Sequence, residues 1–418
     1  MPKTFYLVLA VQLISTVADN AFLIVAIART IELEGAEWLI PVLKIGFTLF
    51  YVMLAPIVGP VADSMRKGHV MVIANLLKVS AILVLISGAH PLIAIAVAGL
   101  GATMYAPAKY GLITELLPPH DLVVANGLFE GVTVTAVIFG TVLGGLLISS
   151  MMMNAVDFEP FADDGLTHTQ FIAGMFVLLI LNAAALMLSF WVADSGARYA
   201  RHSFHPIQLI QRFRQENMTL WSDREGGLSM SVTSLLWGVG ATLQLIVLRW
   251  ATESLGLPLA QAAYLQGVTA LGVIAGAFAA SHTVPLMHAT RTLPLGIAIG
   301  CLIPFLLLVK TVLVASVLLV LVGALAGFFV VPMNALLQHR GHSLLTAGRS
   351  IAVQGFNENA AMLLMLGIYA IAIALQVPLS TLLIGFGFIV ACPMLVIYVI
   401  WTKKAGDANR KMAIDNTI

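Results

Sequence analysis

Glu358 stands in Val353-Gln354-Gly355-Phe356-Asn357-Glu358-Asn359, within a stretch from Ile351 to Leu375 that is otherwise almost wholly apolar. An ionised side chain at the centre of a membrane helix costs roughly 2.5–3.5 kcal/mol on insertion scales, so such groups face a watery cavity or a partner and mark a pathway. Gln354, Asn357 and Glu358 fall at i, i+3 and i+4, on one helical face. The plainer alternative is a carboxylate that pins two helices together. Near the N-terminus Gln12, Ser15 and Asp19 repeat the theme at i, i+3 and i+7, with Asn20 beside them. Cationic groups also lie at depth: Lys78, and Lys109 in Tyr105-Ala106-Pro107-Ala108-Lys109-Tyr110-Gly111. Pro107 frees a backbone carbonyl one turn earlier and its small neighbours let the segment line a cavity. Lys44 and Arg249 sit closer to the ends of apolar runs and are expected to snorkel to the interface.

The elements that carry these groups are membrane helices. The chain has 418 residues, 60% hydrophobic and 10% charged, with mean hydropathy +0.99, far from the soluble norm of roughly a quarter charged. Windows of about twenty apolar residues predict spans near 6–30, 39–61, 70–88, 92–112, 124–149, 171–193, 229–251, 262–281, 293–309, 312–332, 351–375 and 379–401. The expected fold is an all-α membrane protein of about twelve transmembrane helices in two six-helix bundles. Residues 1–193 form the first bundle, 194–228 a cytoplasmic linker, 229–404 the second bundle and 405–418 a tail.

Charge placement sets the orientation, because Lys and Arg collect in cytoplasmic loops. One side gathers Lys3, Arg66, Lys67, the five arginines from Arg198 to Arg224, Arg291, Arg340, Arg349, Lys403, Lys404, Arg410 and Lys411. The other holds Glu32, Glu34, Glu37, Asp157, Glu159, Asp163 and Asp164, and Lys310 is the exception to the pattern. Both termini are therefore expected to be cytoplasmic. Within the linker, Ile207, Ile210 and Phe213 are read as one face, either lying at the anionic inner surface or belonging to a solvated connection.

The halves resemble each other. Ala125-Asn126-Gly127-Leu128-Phe129-Glu130 matches Val353 to Glu358, each after a segment with a proline near its inner end, Pro107 and Pro332. Glu130 thus becomes the twin of Glu358. Gln244 follows Ser234, Trp237 and Ala241 on the face that corresponds to the Asp19 stripe. Parallel halves with a midplane site between them are typical of secondary transporters.

Other classes fit poorly. A net charge of +1 with no basic, aromatic-interleaved run gives no nucleic-acid signal. Cys301 and Cys392 have no metal or disulfide spacing and are expected to pack inside. All ten histidines fall in loops or at span ends, and no nucleophile elbow or phosphate-cradling loop occurs, so neither enzyme, metal nor cofactor is expected.

The loop Gly59-Pro60-Val61-Ala62-Asp63-Ser64-Met65-Arg66-Lys67-Gly68 resembles the loop motif of the major facilitator superfamily, with Gly59, Asp63 and Lys67 matching and Ser64, Arg66 and Gly68 departing. Asp63 suits a neighbouring helix N-terminus or an arginine, a charge-assisted contact that breaks during rocking. Ala18-Asp19-Asn20-Ala21, Val61-Ala62-Asp63-Ser64, the Pro107 segment, Ala125-Asn126-Gly127-Leu128, Gly327 to Gln338, and Ala352 to Tyr369 together resemble the bacterial lysophospholipid transporters within that superfamily. The resemblance runs through nearly the whole chain. It implies a facilitator in the bacterial inner membrane that moves lysophospholipids, mainly lysophosphatidylethanolamine, from the outer to the inner leaflet. A separate acyltransferase acting in trans would then restore the missing acyl chain. Asp19, Lys109 and Glu358 match the polar cavity positions of the family. Gln244 stands where the family commonly has an arginine. Export of amphipathic drugs or other small solutes is the alternative within the superfamily, and a membrane acyltransferase the alternative outside it.

Overall fold

The computed structural model describes residues 1–34, 39–148, 166–197, 199, 205–257 and 259–415. Glu37, Asp157, Glu159, Asp163, Asp164, Arg198 and Arg201, which the charge reading used, lie outside the described residues. Secondary structure among the described residues is helical: α1 (Lys3–Glu34), α2 (Leu39–Met53), α3 (Ala55–Ser64), α4 (Lys67–Ile86), α5 (Pro91–Leu116), α6 (Leu122–Leu147), α7 (Leu166–Phe190), α8 (Pro206–Ser222), α9 (Arg224–Leu255), α10 (Leu259–Thr283), α11 (Leu293–Leu302), α12 (Val312–Leu344), α13 (Ala347–Ala374) and α14 (Leu379–Asp415). Among the described residues, 11 helices are long and apolar enough to cross a membrane, or 12 if the bent pair α2–α3 is one span.

That pair accounts for the expected second span, bent by 63° at Leu54. Pro56, at the start of α3, has no amide to continue the α2 ladder. The ninth span also departs from a plain helix. Pro294 and Pro304 lie near the boundaries of α11, which is flanked by 3-10 turns at Leu286–Thr292 and Ile303–Leu308. Lys310 follows in the short break before α12, exposed. Elsewhere the ends follow local chemistry. Asp223 caps α9 by accepting from Gly226 N at 2.7 Å, and Gly256, at φ 64°, closes it in the left-handed region.

The chain divides into two compact units. The first comprises Met1–Leu122, Gly131–Thr219 and Gly341–Asn359. Here α4 packs between α5 and α7, while α2 and α1 pack on α5. Phe22, Leu43, Ile82, Leu85, Ile95 and Met175 form the core of this packing. The second comprises Val123–Glu130, Leu220–Arg340 and Ala360–Ile418. Its core holds Trp250, Leu319, Phe329, Met333, Phe386 and Met394, and the Trp250 indole donates to Leu306 O at 3.0 Å. In this unit Gly272 and Gly276 of α10 meet Gly323 and Gly327 of α12, each facing a carbonyl of the other helix with no room for a Cβ. This is the small-residue packing that lets membrane helices touch backbone to backbone.

Large apolar side chains such as Phe139, Ile180, Phe190, Leu313, Leu364 and Phe388 stand exposed, the inverse of a soluble surface and the condition of a lipid-facing one. Cys301 and Cys392 are exposed as well, which corrects the expectation that they pack inside. A thiol behaves as a small apolar group and suits a lipid-facing position.

Candidate functional site

Helix α1 presents its polar stripe to two lysines from neighbouring helices of the first unit. Lys109, on α5, donates to Gln12 Oε1 at 3.0 Å, and Gln12 Nε2 donates to Thr133 Oγ1 of α6 at 3.0 Å. One and two turns further along α1, Lys78 of α4 donates to Ser15 Oγ at 2.8 Å and to Asp19 Oδ2 at 2.5 Å. The network continues from Ser15 Oγ to Asn75 Oδ1 at 3.1 Å, and from Asn75 Nδ2 to Ser189 Oγ of α7 at 2.9 Å. Lys78 and Asp19 are only 3% and 16% exposed, so their charges meet with little water between them, where the attraction is strongest. Asn20 turns to its own helix, donating to Thr16 O at 2.9 Å. Lys78, buried and paired, does not snorkel. Lys44 is exposed, and Arg249 pairs with Glu253 one turn along its own helix at 2.5 Å.

Both buried ammoniums also lie over the ring of Tyr105, Lys78 at 5.1 Å and Lys109 at 5.5 Å from its centroid, and Lys109 lies 4.1 Å from that of Tyr110. Ring faces stabilise cations where water is scarce. A carboxylate, two ammoniums and several amide and hydroxyl groups inside an apolar bundle offer binding of both signs, and that suits a zwitterion.

The first unit also holds the Glu358 patch on α13. Gln354 Nε2 donates to Glu358 Oε1 at 2.8 Å, and both residues are buried. Asn357 is turned towards α8, donating to Asn217 Oδ1 at 2.9 Å and to Val353 O of its own helix at 2.8 Å. Two further contacts fasten α8 to α13. Arg349 Nη1 donates to Glu216 Oε1 at 2.8 Å, and the rings of Phe213 and Phe356 meet edge to face at 5.3 Å. Burial pushes the Glu216 carboxyl up from its ordinary range, and Arg349 opposes that shift. Phe213 is therefore buried while Ile207 and Ile210 are exposed, which corrects their assignment to one face. Six residues separate Ile207 from Phe213, about 120° around the helix.

Asp63, at the end of α3, sits at the N-terminus of α13. Its Oδ1 accepts from Gly348 N at 2.9 Å and from Lys67 Nζ at 2.8 Å, and its Oδ2 accepts from the Thr346 hydroxyl. A carboxylate at a helix N-terminus meets unpaired amides and the positive end of the dipole. Lys67 also pairs with Glu115 at 3.2 Å, and Glu115 in turn accepts from Ser195 at 2.5 Å and from Tyr199 at 3.0 Å. Burial and the Glu115 charge push the Tyr199 phenol up. Gly59 allows the close approach, since a Cβ there would lie 2.9 Å from Arg349 Cα. Lys78 as the partner of Asp19, Glu115 beneath Lys67, and the Glu216–Arg349 pair were not assigned from sequence. Their signal was a charge in or beside an apolar run, with nothing to say which charge it meets.

Glu130 and Gln244 belong to the second unit. Glu130 is half-buried on α6. One turn before it, Asn126 exchanges two hydrogen bonds of 2.9 Å with Gln338 of α12. Gln244 is exposed and donates to Gln266 Oε1 at 2.8 Å, while Gln266 Nε2 donates to Gln244 O at 3.1 Å. Among the described residues, no group of three or more His, Cys, Asp or Glu side chains is placed to hold a metal ion.

Residues 6–357 match the Major Facilitator Superfamily. Solved structures share the fold: the transporter FucP in the outward conformation superposes with a TM-score of 0.71 at 15% identity, covering 95% of this chain and 97% of that one. A bacterial homologue of the iron transporter ferroportin gives 0.70 at 15% identity, covering 97% and 100%. Curated relatives are much closer in sequence. The lysophospholipid transporter LplT of Escherichia fergusonii is 36% identical over 398 residues, 95% of each chain. That of Serratia proteamaculans is 37% identical over 374 residues, 89% of each, and that of Klebsiella pneumoniae 36% over 403 residues, 96% of each. With helices that cross the membrane, a polar network inside them and this similarity along its length, the chain belongs to the LplT-type lysophospholipid transporter family of the major facilitator superfamily.

Proposed function

We propose that this multi-pass protein of the bacterial inner membrane transports lysophospholipids, mainly lysophosphatidylethanolamine, from the outer to the inner leaflet. The observation that carries the reading is the α1 stripe of Gln12, Ser15 and Asp19 facing buried lysines inside an apolar bundle. A zwitterionic headgroup needs a cation for its phosphate and an anion for its ammonium, and its acyl chain needs an apolar flank open to lipid. In this reading Lys109 meets the phosphate, while Asp19 and Glu358 serve the ammonium or a coupling cation. Two six-helix bundles, 1–193 and 229–404, rock about the cavity with both termini in the cytoplasm. Release of Asp63 from Gly348 and Thr346 accompanies the opening of the inner side. The transported lipid is re-acylated by a separate acyltransferase.

Leaflet-resolved uptake of headgroup-labelled lysophosphatidylethanolamine into vesicles carrying the protein, with and without imposed ion gradients, tests the reading. Wild type is expected to move the label, and Asp19→Asn and Glu358→Gln to slow it at least tenfold, about the worth of one charge-assisted hydrogen bond. No movement by wild type, with drug resistance gained by cells that express it, would point instead to export of amphipathic solutes.

A further inference from the structure

Lys78 is at depth, paired, and so far only a counter-ion. Its surroundings say more. It and Lys109 approach the same Tyr105 ring, at 5.1 and 5.5 Å. Tyr105 is 4% exposed, and its hydroxyl, buried, meets no hydrogen-bond partner. A buried hydroxyl without a partner is costly unless a ligand or water reaches it. Two ammoniums and an unused donor around one ring are the elements of an oxyanion site, and Asp19 beside them is a site for a cation.

We propose that Lys78, Lys109 and the Tyr105 hydroxyl form a cradle for the headgroup phosphate, and that the Asp19–Lys78 pair is its resting state. A substrate ammonium takes the place of Lys78 on Asp19, and Lys78 turns to the phosphate. The proposal rests on the transport reading above and adds to it a second phosphate ligand and an exchange of partners. The exchange suits a buried site. One ion pair is replaced by two, no net charge enters with the zwitterion, and neither Asp19 nor Lys78 is left facing the apolar interior alone. A lipid with the phosphate but without the ammonium can use the cradle only when Asp19 no longer competes for Lys78.

The test is equilibrium binding to the full-length protein in nanodiscs. Three labelled lipids with one acyl chain in common serve as probes: lysophosphatidylethanolamine, lysophosphatidylglycerol and a monoacylglycerol that lacks the phosphate. Lys78→Met alone strands a buried carboxylate and risks misfolding, so Asp19→Asn/Lys78→Met is compared with Asp19→Asn. The ethanolamine lipid is expected to bind Asp19→Asn about tenfold more weakly than wild type, and the glycerol lipid to bind at least as well. The double variant is expected to lose about tenfold or more beyond Asp19→Asn for both phosphate lipids, with the monoacylglycerol unchanged. Tyr105→Phe keeps the ring under both ammoniums and reads the hydroxyl alone, with a loss of several-fold for the phosphate lipids. If the double variant binds both phosphate lipids as Asp19→Asn does, Lys78 is only the counter-ion of Asp19 and the proposal is wrong. If Tyr105→Phe binds like wild type, the hydroxyl is not a ligand and the cradle as drawn is wrong. Wild type that binds the monoacylglycerol as tightly as both phosphate lipids overturns the cradle and the transport reading together.

Discussion

Replacing Asp63 by asparagine isolates the charge at the end of α3. In the wild type one carboxylate accepts from the Gly348 amide, the Thr346 hydroxyl and Lys67. The amide side chain of asparagine keeps a single acceptor oxygen and no charge, so at least one of these bonds goes and the rest weaken. A hydrogen bond to a charged group is worth about 1.5–3 kcal/mol, and an anion at a helix N-terminus about 0.3–1 kcal/mol. Together they give about 3 kcal/mol, roughly a hundredfold in the equilibrium between held and released α13. Lys67 is expected to stay satisfied, because Ala62 O and Glu115 remain within 2.9 and 3.2 Å, so the fold should survive. Hydrogen exchange in nanodiscs, read on a peptide covering residues 345–353, follows the Gly348 amide directly. Asp63→Asn should speed its exchange by about two orders of magnitude, with the core of the first unit around Ile82 and Leu85 unchanged. Equal exchange in the two proteins would refute the reasoning, since the bond from Gly348 would then hold nothing in place.

Two other substitutions read the charges on and just after α8. Glu216 and Arg349 are each 10% exposed, and Nε and Nη2 of Arg349 have no partner, so Glu216→Leu should cost about 3–5 kcal/mol and Glu216→Leu/Arg349→Met much less; thermal unfolding of the single and double variants checks this, and equal losses would dismiss the pair. At Asp223 the hydrogen bond from Arg340 and the capping bond from Gly226 hold the carboxyl below its ordinary range. A lowered folded-state value gives stability that is present above the unfolded value of 3.8 and is lost as pH falls through the folded one. The gap in thermal midpoint between wild type and Asp223→Asn should therefore be constant near neutrality and close in acid, and a gap that widens in acid would reverse the sign.

Spacing made the helices and the α1 stripe legible. Gln12, Ser15 and Asp19 could be placed on one face because helical periodicity is a local property of the chain. What each would touch was not legible, because Lys78 lies 59 residues from Asp19 and nothing in either segment encodes the angle at which α1 meets α4. The Pro56 break in the second span left only a weak trace, since apolar composition carries through a bend unchanged. Phe213 shows the same limit at short range: an apolar residue six positions from Ile207 looked like part of its face, but packing against Phe356 draws it inward. Cys301 and Cys392 were misplaced for a related reason. In a membrane the apolar side of a helix does not say whether protein or lipid covers it.

The bend at Leu54 makes α3 a lever with its own pivot. Ile57 and Val58 both donate to Leu54 O, so the hydrogen-bond ladder of α3 starts afresh there, and rotation about the joint need not tear the ladder of α2. Ten residues make an arm about 15 Å long, whose tip travels about 5 Å in a swing of roughly 20°. Asp63 rides at that tip. A 5 Å excursion is ample to part a 2.9 Å bond to Gly348, so the Asp63 end of the second span can disengage while α2 keeps its packing on α5.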